Sequence, residues 1–127
     1  MADRELVHEL FAAMSTRRFA DAVALFSPDG TWWMLSSRTA VPVADWFSGY
    51  ARVAQEVFGS GIEFRVNSMI AGENRVAAQV ESQARLPNGT DFNNSYHFLL
   101  EIDGDRIRKV WEYGDTLYAE RILRGGA

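Results

Sequence analysis

Residues 92–119, FNNSYHFLLEIDGDRIRKVWEYGDTLYA, constrain the fold more than any other stretch of the chain. Two strand-like runs, Asn93 to Ile102 and Arg106 to Gly114, flank the turn Asp103-Gly104-Asp105. An Asp-Gly pair between alternating apolar runs signals a β-hairpin, because glycine accepts the positive φ that a tight hairpin turn demands. A short helix opened by Asp115 follows. The second run ends Trp-Glu-Tyr-Gly-Asp, which sets an acid, Glu112, inside an element otherwise built like sheet. A buried carboxylate needs a partner or a purpose.

Upstream, hydrophobic spacing divides the rest of the chain. Asp3 is placed to cap a first helix over residues 4–15, with Leu6, Val7, Leu10, Phe11 and Met14 on one face. A second helix spans 19–26. Ser27-Pro28-Asp29-Gly30 has turn composition. Residues 31–35 read as an aromatic strand, 36–42 as a loop and 43–58 as a third helix, ended by Gly59-Ser60-Gly61. Period-two alternation marks strands over 62–70 and 75–86. The last helix is expected over 116–123, and Gly125-Gly126-Ala127 as a frayed tail. The order α-α-β-α-β-β-β-β-α describes one α+β domain over 1–127, with helices on one face of a curved sheet.

Composition narrows the chemistry. The chain has 127 residues, no cysteine, two histidines and a net charge of −4. Disulfides and thiolate catalysis are excluded, a histidine-rich metal site is not expected, and no basic patch points to nucleic acid. No metal or organic cofactor is signalled. No run of about 18 apolar residues offers a membrane span and no signal peptide is evident, so the expected setting is cytoplasmic, away from membranes.

Three segments carry a resemblance: Phe19 to Trp32, Gly72 to Gln83, and Tyr96 to Asp115 with its Tyr-x-Phe, Asp-Gly and Glu-Tyr-x-Asp elements. Together they resemble the nuclear transport factor 2-like superfamily, in the branch of SnoaL-like polyketide cyclases, ketosteroid isomerases and limonene epoxide hydrolases. The resemblance implies a cone: a curved antiparallel (mixed) sheet wrapped around three N-terminal helices, with a short C-terminal helix and a deep apolar cavity. It also implies a homodimer through the outer sheet face. Epoxide hydrolases of this fold hold two acids, an arginine and two water-binding groups in the pocket. Glu81 and Glu112 fall at the acids' positions, Gln79 at the arginine's, and Trp32 and Met34 at the water-binding positions. Where ketosteroid isomerases carry a tyrosine donor on the first helix, this chain offers Phe11 or Met14.

The faces of the strand over 75–86 are open on sequence alone. Gln79, Glu81 and Gln83 share one face, and Val76, Ala78, Val80 and Ser82 the other. Periodicity puts the polar set in solvent; the resemblance puts it in the cavity and the Val/Ala face against a second subunit. Asn94, Tyr96, Phe98 and Leu100 share a face that the resemblance places in the cavity, which leaves His97 on the outer face. Arg108, Val110, Glu112 and Gly114 are expected on one face, Trp111 and Tyr113 on the other. The resulting expectation is a pocket for a small apolar carbonyl compound, lined by Phe11, Met14, Trp32, Met34, Phe58, Gln79, Gln83, Asn94 and Tyr96. Glu112 and Glu81 would share a proton across it, as base and acid in either order, because two acids in a low-dielectric site cannot both ionise cheaply. Cofactor-free isomerisation or cyclisation, a non-catalytic binding or dimerisation module, and an epoxide-hydrolase-like reaction all start from that picture.

Overall fold

The computed structural model describes residues 1–124; the Gly125-Gly126-Ala127 tail lies outside the described residues. The elements run α1 (Asp3–Ser15), α2 (Phe19–Ala24), β1 (Phe26–Met34), β2 (Thr39–Pro42), α3 (Val43–Glu56), β3 (Ile62–Gly72), β4 (Arg75–Arg85), β5 (Asp91–Phe92), β6 (Ser95–Asp103), β7 (Arg106–Gly114) and α4 (Thr116–Leu123). Six strands lie in the order β2-β1-β7-β6-β4-β3, and β5 adds to β4. All pairs are antiparallel except β1 with β7.

The β6–β7 hairpin forms the middle of this sheet. Gly104 sits at φ +62° in its turn, a conformation that an L side chain resists. One face of the sheet carries Trp32, Val76, Ala78, Val80, Phe98, Leu100 and Val110, each no more than 1 % exposed. The apolar faces of α1 and α3 close over them, and the whole forms one contiguous core. At about 25 cal/mol per Å² of apolar burial, this packing is the main stabilising term.

Several local expectations give way to backbone detail. Asp3 is the first residue of α1 rather than its cap; Ala2 takes the cap position and no side chain bonds there. Ser27 to Gly30 do not separate a helix from a strand. They form an excursion inside β1, between the pairs Phe26↔Ile107 and Thr31↔Lys109. Turn-forming residues have been absorbed as an irregularity in a strand, and Gly30 is needed there because a Cβ would lie 3.0 Å from the Ser27 carbonyl oxygen. The expected loop over 36–42 contains an edge strand, β2.

A second irregularity falls in β7, where Ile102↔Ile107 and Glu101↔Lys109 leave Arg108 unopposed. Alternation resets across it, so Ile107 and Val110 are both buried and Arg108 is exposed, not on the inner face with Glu112. Beyond the bulge, Trp111 and Tyr113 turn outward. Tyr113 packs on Trp33 at 5.3 Å, and the Lys109 ammonium lies 5.8 Å from the Trp111 ring. His97 is exposed on the same outer face, opposite Tyr113.

Candidate active site

Between the concave face of the sheet, α3 and α4 lies a cavity of about 470 Å³. Its wall includes Trp46 and Tyr50 of α3, Phe64 of β3, Tyr96 and Phe98 of β6 and Ala119 of α4. Trp46 is central to this surface. It stacks on Trp32 at 3.8 Å and 11°, and on Tyr50 at 5.1 Å and 7°. Both faces of Trp46 are covered, so this stack gives the cavity a rigid apolar wall.

One acid enters this apolar space deeply. Glu112 follows Val110 on the inner face of β7, opposite Phe98 and beside Met34. The indole N–H of Trp32, a fully buried residue, donates to Glu112 Oε1 at 2.9 Å. Burial pushes the Glu112 carboxyl up to about 7, and the Trp32 hydrogen bond, which favours the charged form, pulls the other way. Desolvation wins because a single neutral donor replaces little of the hydration a carboxylate loses.

Two polar side chains border the cavity near this acid. Asn94 is 4 % exposed and its side-chain oxygen accepts from the Ser95 N–H at 2.9 Å. The Tyr96 hydroxyl lies 3.1 Å from Ser82 Oγ, which itself accepts from the Asn94 N–H at 3.2 Å. Either hydroxyl can donate in the Ser82–Tyr96 contact, and with Ser82 as donor the phenolic proton is available to the cavity. Burial pushes the Tyr96 phenol up to about 12, so it is a neutral donor. The Tyr50 hydroxyl is also buried, and finds no hydrogen-bond partner among the described residues.

The structure separates the sequence candidates into three groups. Met14, Met34, Phe58, Asn94, Tyr96 and Glu112 border the cavity. Phe11 and Trp32 stand behind the wall. Phe11 is packed against Phe98 at 4.9 Å, and Trp32 reaches the site only through its N–H. Gln79, Glu81 and Gln83 lie on the other side of the sheet altogether. Glu81 has a side chain 47 % exposed and pairs with Arg65 at 3.7 Å, while Gln79 accepts from Ser68 Oγ at 2.8 Å. Val76, Ala78, Val80 and Ser82 take the inner face, so the Val/Ala face meets the core and not a second subunit.

The expected pair of carboxylates sharing a proton is therefore absent: Glu112 is the one acid set deep in the cavity, Asp45 of α3 borders it only as an exposed residue, and the two-acid arrangement of an epoxide hydrolase is not assembled from Glu81 and Glu112. The physical reason is burial. Three apolar side chains and a serine gain more from the core than two glutamines and a glutamate would. Phe98, expected in the cavity, borders it, whereas Leu100 packs in the core instead. Trp46, Tyr50 and Phe64 are the main cavity residues that sequence reasoning left in the general core. Their positions on the inner faces of α3 and β3 were readable, but spacing does not distinguish a side chain facing a hollow from one facing a neighbour. Among the described residues, no group of three or more His, Asp or Glu side chains gathers as a metal site would require, and no helix is long and apolar enough to cross a membrane.

Comparison with known proteins agrees with this architecture. AclR from Streptomyces galilaeus, a proposed hydroxylase, superposes with a TM-score of 0.81 at 19% identity, over 95% of this chain and 80% of AclR. A proposed SnoaL-like polyketide cyclase from Shewanella denitrificans OS-217 gives 0.80 at 13% identity, over 95% and 96% of the two chains. An NTF2-like protein from Burkholderia pseudomallei K96243 gives 0.82 at 14% identity, over 97% and 98%. At these identities the likeness speaks for the fold alone. No curated protein sequence matches the chain. The SnoaL-like domain signature matches residues 7–110, which is most of the sequence, and the chain belongs to the SnoaL-like domain family.

Proposed function

We propose that the protein binds a small, flat, apolar carbonyl compound and removes a proton next to the carbonyl, with Glu112 as a single general base and without a cofactor. The observation that carries this reading is the depth of Glu112: it is the one carboxyl buried inside an aromatic-walled cavity whose other acid, Asp45, is exposed, and its pKa is about 7. A base titrating near neutral pH is both deprotonated often enough and basic enough to take a proton from carbon. Tyr96 and the Asn94 amide are the donors for the oxyanion that forms on the ligand. The C–H electron pair moves onto the carbonyl as an enolate, and the proton goes to the Glu112 carboxylate. Isomerisation and cyclisation both begin with this step.

A homodimer and a cytoplasmic setting belong to the same reading. The outer patch of Trp33, Trp111 and Tyr113 is the surface best suited to a second copy. The competing reading is a binding module without turnover, which the hydrogen bond from Trp32 favours by giving Glu112 a structural partner.

The experiment is deuterium exchange at the carbon beside the carbonyl of 1-tetralone, followed by NMR in D₂O at neutral pH. Exchange above the buffer rate by the wild type, lost in Glu112→Gln while 1-tetralone still quenches tryptophan fluorescence, is the expected result. Binding by both proteins with exchange by neither would establish the binding-module reading instead.

A further inference from the structure

Glu112 borders two chambers. Besides the large aromatic cavity, a smaller one of about 160 Å³ reaches it, and Met34, Asn94, Tyr96, Glu112 and Ala119 border both. The walls differ in chemistry. The small chamber brings in Ser36, from the turn after β1, and Asp115 and Thr116, from the start of α4. It has room for a few waters and the hydroxyls to hold them. Leu35, Ser36, Thr116 and Ala119 also border a surface groove that runs past Arg38, Glu120 and Arg124. Ser36 and Thr116 are themselves exposed. A path set with hydroxyls among apolar side chains therefore leads from the carboxyl to solvent without crossing the aromatic wall.

We propose that this small chamber is the proton door of Glu112, through which solvent reaches the carboxyl while the large cavity holds a ligand. The inference rests on the reading of Glu112 as the base of that cavity. After Glu112 takes the proton from carbon, the carboxylic acid passes it to a water in the small chamber. The carboxylate is restored, and a hydronium ion leaves past Ser36 and Thr116. The Asp115 carboxylate on this route accepts the Tyr118 N–H at 3.0 Å through one oxygen and can take part in the relay through the other, and the other charges facing the path, Arg38, Glu120 and Arg124, stand at its outer end.

The test is the rate at which Glu112 gains a proton, which needs no substrate. A laser-triggered release of a caged proton, dropping the solution from about pH 8 to about pH 6 within microseconds, crosses its titration, read by tryptophan fluorescence because Trp32 donates to Glu112. Glu112→Gln identifies the phase that belongs to this carboxyl. Gly49→Phe fills the large cavity, since Gly49 borders it and a Cβ there meets nothing within 4 Å. Thr116→Phe closes the door from α4, and Ser36→Phe closes it from the other side should the first variant fail to fold.

Protonation within about twofold of wild type in Gly49→Phe, and roughly tenfold slower or more in the door variants, is the expected result, because solvent exclusion should act only along the route that is used. Wild-type rates in the door variants, or slowing in Gly49→Phe, overturn the door and leave the base in place. If no phase depends on Glu112, both the base and its door fall.

Discussion

The Trp32 indole nitrogen lies 2.9 Å from Glu112 Oε1 and donates to it across the parallel β1–β7 pair. Two residues 80 positions apart in sequence are thus joined inside the cavity wall. The bond favours the carboxylate, while the burial that surrounds it favours the acid, and burial prevails. Replacing Trp32 by Phe removes the only opposing influence, so the Glu112 titration should move further up in pH. The protein should also lose roughly 1–3 kcal/mol of stability, as expected for a buried acceptor left unpaired and a partly emptied core site. A side-chain NMR titration and urea unfolding of Trp32→Phe measure the two effects.

Stability should depend on pH through the same group. Glu112 has an ordinary value of 4.5 and titrates at about 7 in the folded protein. Between those values the folded state holds the extra proton, so stability must fall as pH rises through this window and level off above 7. Glu112→Gln removes that dependence, and at pH 8 it should be more stable than wild type by on the order of 3 kcal/mol. Unfolding midpoints in urea at pH 4.5, 6 and 8 for both proteins would show it.

Glu81 provides the contrasting case. Its partner Arg65 is 3.7 Å away, and both side chains are about half exposed. Surface pairs of this kind contribute about 0–1 kcal/mol. Glu81→Gln should change stability within that range and leave the Glu112 titration unmoved. A displaced Glu112 midpoint in this variant would mean that the two acids communicate after all.

Asp115 ends the sheet and starts the helix that closes the cavity. Its carboxylate accepts from the Tyr118 N–H at 3.0 Å, and Tyr118 in turn uses its hydroxyl to accept from the Asn93 N–H at 2.9 Å. Asp115→Ala should cost about 1 kcal/mol, the usual worth of an N-cap, and should loosen α4. Hydrogen exchange should then quicken at the amides of α4 but not in β6.

Much of this architecture was legible because local chemistry and global fold agree. The Asp103–Asp105 turn, the alternation in β3 and β6, and the cap at Asp115 each called for the element that forms. Glu112 was legible too, since it shares a face with Val110. The β4 faces were harder. The alternation of Val76, Ala78, Val80 and Ser82 against Gln79, Glu81 and Gln83 already pointed the polar set outward, and only the correspondence with epoxide hydrolases turned it in. Periodicity was the better guide because burial acts on this chain's own side chains. Arg108 was misplaced for the opposite reason: a one-residue bulge resets the period and leaves no mark in composition. The cavity itself escaped spacing arguments, because a hollow is defined by what several elements together fail to fill.

The central claim is that Glu112, the one acid set deep in an apolar cavity, is a base poised near neutral pH. The most direct measurement is an NMR titration of the glutamate side-chain carboxyls, with Glu112→Gln assigning the resonance. A midpoint for Glu112 near 7 is the expected result. A midpoint in the ordinary carboxylate range of about 4 to 4.5 would contradict it.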